Sequence, residues 1–369
     1  MTRKIPMVDL SEQTDRLWPE LEKAVHDVLR SGRFILGPNV EAFEREAAAF
    51  LGTRYAIGVG SGTDALVLGL RALGIGPGDE VIVPSFTFFA TAEAVSLIGA
   101  KPVFADIEPT TYCLEPDSVA KAIGLRTRAI VPVHLFGHPA EMDAIADLAQ
   151  RRGLAVLEDA AQAFGAVYRG RKIGGLGNAA AFSFFPSKNL GAFGEAGLIA
   201  TDDEALADSV RSLRAHGSRQ RYHHTEIGYN ARLDEIQAAL LRVKLPHVAV
   251  WNDARRRVAA SYDEALSGVA GIRTPRIAPG CTHVFHQYTL RVPAEKRAGI
   301  QKALDSHGVS TQVYYPIPNH ALPMYAPDAP SLPETDAAAR EVLSLPIYPE
   351  LSDGDVRQIA HLLRESLAR

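Results

Sequence analysis

One lysine stands out chemically. It is Lys188, in the stretch Ala181-Phe-Ser-Phe-Phe-Pro-Ser-Lys-Asn-Leu-Gly-Ala-Phe-Gly-Glu-Ala-Gly197. An apolar run halts at Pro186, the lysine follows, and Gly191, Gly194 and Gly197 come close behind. The pattern reads as a buried strand handing a lysine to a loop whose backbone approaches something closely. Phe and Leu flank the amine, and partly apolar surroundings lower a lysine pKa and free it as a nucleophile. Schiff-base formation with pyridoxal phosphate is one reaction that uses such an amine. Taken alone, a lysine in a Gly-rich loop is more often an ordinary surface residue, so the partners decide.

Those partners are present. Asp159 ends the apolar run Ala155-Val-Leu-Glu-Asp159, about one crossover before Lys188. A carboxylate at a buried strand end needs a cationic partner. A protonated pyridine nitrogen is one, and the pairing keeps the ring an electron sink. The plainer reading of Asp159 is a helix N-cap. Gly60-Ser-Gly-Thr63 sits between a small-residue strand and a helix. Backbone N–H groups and hydroxyls at such a turn form a phosphate site, and Ser183 can join Gly62 and Thr63 there. The same turn also suits plain helix capping. Phe88 is placed to stack on a ring, although a single Phe is more commonly core.

The elements that must position these groups alternate along the chain. Strands are predicted at 55–59, 80–84, 102–106, 129–134, 155–159 and 198–201. Helices are predicted at 16–29, 40–51, 63–73, 91–98, 117–123, 142–152 and 204–216. This alternation implies a largely parallel sheet covered by helices on both faces, with ligands gathering at the strand carboxyl ends. Thr63, Phe88, His134 and Asp159 all fall at or just beyond such ends. A long helix after Asn230 is expected to run through Leu245 and past Pro246 to Leu266. A large unit then spans 1–268 and a small α+β unit 269–369. The small unit has strands at 285–292 and 311–315, a helix at 297–307, a Pro-rich loop to Leu332 and a final helix at 353–367.

Composition narrows the function. The chain has 369 residues, is 47% hydrophobic and carries a formal net charge of -4. That is an ordinary globular composition, and its mild acidity argues against a nucleic-acid binder. The two cysteines, Cys113 and Cys281, make no disulfide framework, which suits a reducing cytoplasm. No signal peptide is expected at the N-terminus, and no run approaches the roughly 20 apolar residues of a membrane helix. The histidines have no metal-ligand spacing, so no metal is expected.

Read together, the motifs resemble the DegT/DnrJ/EryC1/StrS sugar aminotransferases, within fold type I of the pyridoxal-phosphate enzymes. The resemblance rests on Ser31-Gly-Arg-Phe-Ile-Leu-Gly-Pro38, Gly60-Ser-Gly-Thr-Asp-Ala-Leu66, Pro84-Ser-Phe-Thr-Phe88, Glu158-Asp-Ala-Ala-Gln162, Ser183-Phe-Phe-Pro-Ser-Lys-Asn189 and Gly228-Tyr-Asn-Ala-Arg-Leu-Asp-Glu-Ile-Gln237. It implies that Lys188 holds the cofactor and moves protons, and that Asp159 pairs with the pyridinium. It implies that Gln162 meets the 3-hydroxyl side, that Gly62, Thr63 and Ser183 bind phosphate, and that Phe88 stacks. Asn230 is implied to reach the phosphate of a neighbouring subunit, making a homodimer with shared active sites; a helix-entry cap is its alternative role. A dehydratase relative carries histidine at the lysine position, so Lys188 favours transamination.

The resemblance further implies L-glutamate as amino donor and a nucleotide-linked keto-sugar as acceptor, aminated at carbon 3. UDP-linked 3-keto-N-acetylglucosaminuronate and dTDP-linked 3-keto-6-deoxyhexoses are the nearest types. Tyr315 and His320, in Thr311-Gln-Val-Tyr-Tyr-Pro-Ile-Pro-Asn-His320, are expected at the sugar or pyrophosphate; Asn319 departs from the apolar or small residue usual there. Arg221 and Tyr222, with Arg219, His223 and His224, form a basic aromatic loop suited to a diphosphate or a carboxylate. A solvated loop is the equal alternative. His286 is expected as a core or cap histidine. The competing functions are amination at carbon 4, amination of a cyclitol ketone, and a non-catalytic sensor on the same fold.

Overall fold

The computed structural model describes residues 4–220 and 222–368. Among them a seven-stranded sheet forms from β1 (Tyr55–Val59), β2 (Glu80–Pro84), β3 (Lys101–Ala105), β4 (Thr127–Ile130), β5 (Ala155–Asp159), β6 (Ala179–Ser183) and β7 (Gly197–Thr201). The strand order is β1-β7-β6-β5-β4-β2-β3. β7 runs antiparallel to both β1 and β6, while the other neighbouring pairs are parallel. The fold is the expected α/β architecture, a mostly parallel sheet flanked by helices.

Both faces of the sheet are covered, and the alternation of side chains along each strand shows it. Val156, Ala180 and Leu198 belong to one apolar cluster, which includes the helix Pro38–Leu51 through Phe43 and Ala47. Their strand neighbours Leu157, Ala181 and Ile199 belong to a second, which includes the helix Gly62–Ala72 through Ala65, Leu66 and Leu68. Burial on both sides is why these strands read as apolar runs with little polar alternation.

Two of the motifs meet around one carboxylate. Glu235 is buried and accepts hydrogen bonds from the backbone N–H groups of Gly37, Asn39 and Val40 and from Asn39 Nδ2. It therefore caps the helix Pro38–Leu51, whose N-terminal N–H groups lack intrahelical partners. A Cβ at Gly37 would lie 2.8 Å from Glu235 Cδ, so the turn before this helix needs a glycine to bring the carboxylate in.

The long helix differs from expectation. It is interrupted by one 3-10 turn, Leu245–His247, between Glu235–Lys244 and Val248–Leu266. Pro246 supplies no N–H and its ring crowds the carbonyl four residues back. The C-terminal region also differs. Strand Tyr288–Arg291 pairs antiparallel with Val342–Leu345, and a helix, Pro333–Glu341, precedes that second strand. The predicted strand at 311–315 is reduced to one bridge between Gln312 and Ser344. Pro316 and Pro318 follow at once, and prolines cannot extend a ladder. A third cluster joins Tyr262 and Leu266 of the helix Val248–Leu266 to Tyr288, Leu290, Leu343, Leu345, Ile359 and Leu363, and it includes Ile5 from the N-terminal arm.

Candidate active site

Lys188 follows β6 in a tightly folded loop. Phe184 N–H donates to Ala196 O at 2.8 Å, Ala192 N–H to Phe184 O at 2.7 Å and Lys188 N–H to Phe185 O at 2.8 Å. The glycines are where backbone does come close, but to the chain itself. A Cβ at Gly191 would stand 2.2 Å from Pro186 O, and one at Gly197 would stand 2.2 Å from Ser61 O. The second contact presses the lysine loop against the turn after β1. Burial depresses the Lys188 amine to about 8, against an opposing pull from Asp159.

Asp159 ends β5 and is buried. Its Oδ2 accepts from Thr91 Oγ1 at 2.7 Å and its Oδ1 from Ala161 N–H at 3.2 Å. Burial raises its pKa, and these donors together with Lys188 and His134 work in the other direction. The carboxylate is thus short of positive charge, as expected of a group built to meet a cation. Its neighbour Glu158 is a support. Glu158 is fully buried and faces the N–H groups of Gly174, Leu176 and Gly177 and the His134 ring, 3.1 Å away. Ala140 N–H donates to His134 Nδ1 at 2.9 Å, so the His134 proton is on Nε2 and donates to Glu158. Burial raises the Glu158 pKa, yet the hydrogen bonds from His134, Gly177 and Leu176 outweigh it and leave a net lowering. The strand predicted at 129–134 ends at Ile130, and His134 lies four residues beyond it, next to the isolated bridge of Val133 with Asp159; it orients Glu158 and does not line the cavity.

Across the cavity the helix Gly62–Ala72 begins. Ser61 is its N-cap: its Oγ accepts from Asp64 N–H at 3.0 Å, and its carbonyl accepts from Ala65 N–H. A helix leaves its first four N–H groups without intrahelical partners. Ser61 Oγ takes that of Asp64, while those of Gly62 and Thr63 stay without a helical partner, and both residues line the cavity. A Cβ at Gly62 would lie 2.7 Å from Ser183 Cβ, so Ser183 is part of the same cup.

One cavity of about 540 Å³ joins Gly62, Thr63, Phe88, Asp159, Gln162, Ser183, Lys188 and Tyr315. These come from the ends of several strands, as the topology requires. Gln162 is fixed at both ends: its Oε1 accepts from Phe136 N–H at 2.8 Å and its Nε2 donates to Tyr315 Oη at 3.1 Å. Phe88 is 58% exposed, with its ring 6.1 Å from that of Tyr315. An aromatic that open to the cavity is not a core residue.

Other predicted residues lie elsewhere. His320 is buried away from the cavity: its Nδ1 is 2.7 Å from Ser85 Oγ, its N–H donates to the same oxygen, and its Nε2 is 3.4 Å from Asp336. Both ring nitrogens are engaged, so His320 braces the strand-end loop that carries Thr87 and Phe88. Asn230 is exposed and accepts from Arg232 Nη2. Tyr222 is exposed in a hairpin of Ser218–Gln220 with His223–His224, and Arg221 lies outside the described residues. Conversely, Thr87, His286 and Gln287 line the cavity, although the sequence pointed to none of them. His286 is buried as expected, but in the cavity wall. The one available signal was a polar His-Gln pair at the edge of an apolar strand. Among the described residues no group of three or more His, Cys, Asp and Glu is placed to hold a metal ion.

The family model for DegT/DnrJ/EryC1/StrS aminotransferases matches residues 16–364. The chain belongs to this family. It is 49% identical to a dTDP-3-amino-3,4,6-trideoxy-alpha-D-glucose transaminase of Streptomyces venezuelae, over 99% of this chain and 96% of the relative. It is 48% identical to a UDP-N-acetyl-3-dehydro-alpha-D-glucosamine 3-aminotransferase of Acidithiobacillus ferrooxidans and to a pleiotropic regulatory protein of Geobacillus stearothermophilus, each over 98% of both chains. The crystal structure of S. venezuelae DesV in complex with a ketimine intermediate superimposes with a TM-score of 0.97, at 49% identity and full coverage of both chains. This DegT/DnrJ/EryC1/StrS protein is an aminotransferase, and its cofactor is pyridoxal phosphate. The cavity fits that group: a cup that a single added Cβ would fill lies at a helix N-terminus, and the same space holds a buried carboxylate and a depressed amine.

Proposed function

We propose that the protein transfers an amino group from L-glutamate to carbon 3 of a nucleotide-linked keto-sugar, in amino-sugar or polysaccharide biosynthesis. The observation that carries this reading is the single cavity shared by the Lys188 amine, the Asp159 carboxylate and the Gly62–Ser183 cup. The sugar class is supported by the relatives. Besides the dTDP- and UDP-sugar enzymes above, a UDP-2-acetamido-2-deoxy-3-oxo-D-glucuronate aminotransferase of Pseudomonas aeruginosa is 45% identical, and all three names place the nitrogen at carbon 3. Regulatory names also occur among the relatives. The complete set of reacting groups in this chain supports catalysis over a purely sensory role.

Pyridoxal phosphate, when bound, supplies an electron-sink ring that stabilises negative charge at the carbon bearing the amine. The residues of this chain are proposed to do the rest. Gly62 and Thr63 N–H and Ser183 Oγ bind the phosphate. Asp159 holds the proton on the pyridine nitrogen, and Thr91 and Ala161 orient that carboxylate. Gln162 faces the ring's 3-hydroxyl side, and Phe88 covers one ring face. Lys188 Nζ, depressed to about 8, anchors the cofactor and both accepts and releases a proton near neutral pH. Tyr315, anchored by Gln162, together with Arg221 and Tyr222, meets the substrate.

A homodimer with shared sites is part of the proposal. Phe34, Ile35, Leu36, Phe185 and Phe193 are all exposed, and large exposed apolar side chains of this kind suit an interaction surface. Asn230 is exposed and available to a neighbouring subunit's phosphate. A division near Gly268 and a cytoplasmic location, in keeping with the free Cys113 and Cys281, complete the reading.

The test is the visible spectrum of the protein loaded with pyridoxal phosphate. Adding a dTDP- or UDP-linked 3-amino sugar converts the cofactor to pyridoxamine phosphate if the reading holds. Conversion by glutamate but by no nucleotide amino sugar would falsify the sugar assignment and move it to a cyclitol or another ketone.

A further inference from the structure

Three side chains in the cavity wall have buried polar atoms with no partner. They are Thr87 Oγ1, His286 Nδ1 and Gln287 Oε1. Thr87 is 2% exposed, His286 5% and Gln287 6%, and all three line the cavity that holds Lys188. Leaving a buried donor or acceptor unpaired costs about 1–3 kcal/mol each. Three around one cavity are a standing cost that only a ligand or trapped water can remove.

The backbone around them is firmly held. Val284 N–H donates to Gly137 O at 3.1 Å, and Gln287 N–H donates to Phe136 O at 3.3 Å. Asn189, next to Lys188, donates through Nδ2 to Val284 O at 2.8 Å, and Arg255 Nη1 donates to Phe285 O at 3.3 Å. The backbone of the segment is therefore clamped between the lysine loop and the Phe136–Gly137 turn. Asn319 Nδ2 lies 3.4 Å from Thr87 O, which ties the loop carrying Thr87 to the 319–320 turn. Gln287 spends part of its amide on a side-chain hydrogen bond to Tyr314, and its Oε1 stays free.

The groups are all uncharged. Burial lowers the His286 pKa well below its ordinary value, and the cations Lys188 and Arg255 reinforce the effect, so the ring is neutral at working pH. Neutral imidazole, hydroxyl and amide each offer both a donor and an acceptor. That combination matches vicinal hydroxyl groups, which also donate and accept. It offers no charge to a carboxylate or a phosphate.

We propose that Thr87, His286 and Gln287 form a hydroxyl-reading wall that holds the sugar ring of the acceptor, distinct from the groups that bind the cofactor. The inference rests on the proposed nucleotide-sugar function and deepens it: the specificity-determining contacts are uncharged hydrogen bonds to ring hydroxyls. A site built to hydrogen-bond a hydroxyl rejects analogues that lack it strongly, because its own buried groups are then left unpaired.

The experiment uses the full-length protein loaded with cofactor. Binding of a dTDP-linked 3-amino-6-deoxy sugar and of dTDP alone is measured by calorimetry for wild type, Thr87→Val, Thr87→Ser and Gln287→Leu. The Val and Leu variants should bind the sugar nucleotide about 10- to 100-fold more weakly. Their affinity for dTDP, cofactor spectrum and melting temperature should stay at wild-type values, and Thr87→Ser should restore sugar binding. Equal weakening toward sugar nucleotide and dTDP, or none toward either, overturns the wall. A wild type that binds dTDP- and UDP-linked amino sugars no better than the bare nucleotides overturns the parent reading instead, and the wall with it.

Discussion

Gly62→Ala is the sharpest perturbation of the proposed phosphate cup. Gly62 opens a helix and does not sit in the left-handed region, so backbone freedom is not why a glycine is there. The reason is contact. An alanine Cβ would lie 2.7 Å from Ser183 Cβ, whereas carbon atoms normally meet at about 3.5–4.0 Å. Ser183 cannot retreat, because it is paired with Gly197 in the sheet, and Gly197 is itself pressed on Ser61. Overpacking of this kind costs about 1–3 kcal/mol. The gain from replacing glycine by alanine in a helix is at most about 1 kcal/mol. The expected net loss of stability is therefore between about 0 and 3 kcal/mol, largest where the helix start cannot shift. The helix start must shift away from Ser183, and the cup then loses a hydrogen bond to a charged group, worth about 1.5–3 kcal/mol. That corresponds to roughly 10- to 100-fold in cofactor affinity. The assay is absorbance titration of the cofactor-free protein with pyridoxal phosphate, beside urea unfolding. The double variant Gly62→Ala/Ser183→Gly removes the clashing carbon, so stability should show favourable coupling of about 1 kcal/mol or more. Wild-type affinity and wild-type unfolding in Gly62→Ala would refute both the close contact and the phosphate assignment.

Two further outcomes follow from buried charge. In the cofactor-free protein the Lys188 pKa is depressed from 10.5 to about 8. Between those pH values the unfolded chain binds the proton and the folded one does not, so stability rises with pH across that window, by up to about 3 kcal/mol from this group. Lys244, buried to the same value of about 8, adds in the same sense. Urea unfolding of Lys188→Met should show a smaller rise between pH 8 and 10.5; an unchanged slope means that Lys188 is not desolvated. Glu158→Ala leaves His134 and three backbone N–H groups facing an empty acceptor site. It should cost about 3–5 kcal/mol by urea unfolding, and a loss below about 1 kcal/mol would contradict its role as a buried hub.

Much of the site was legible in the sequence because its parts are local. The lysine after a halted apolar run, the aspartate ending another, and the Gly-Ser-Gly-Thr turn each announce themselves by residue type within a few positions. Alternating strands and helices then required that they meet at one edge of a parallel sheet. The boundaries that went astray have equally local causes. Pro246 cut the long helix with one 3-10 turn, and Pro316 and Pro318 stopped the strand expected at 311–315.

What the sequence by itself determined is a set of candidate groups that share one cavity, and the layered sheet that gathers them. Only the tertiary structure decided which polar residues face the cavity and which brace it. His134 and His320 were at motif positions, yet their ring nitrogens are taken by Glu158, Ala140, Ser85 and Asp336. His286 looked like a core residue and instead faces the cavity with Nδ1 unpaired. Residue type fixes how many hydrogen bonds a histidine can make. Whether any are left for a ligand depends on partners drawn from distant parts of the chain, and those are set only when the segments pack.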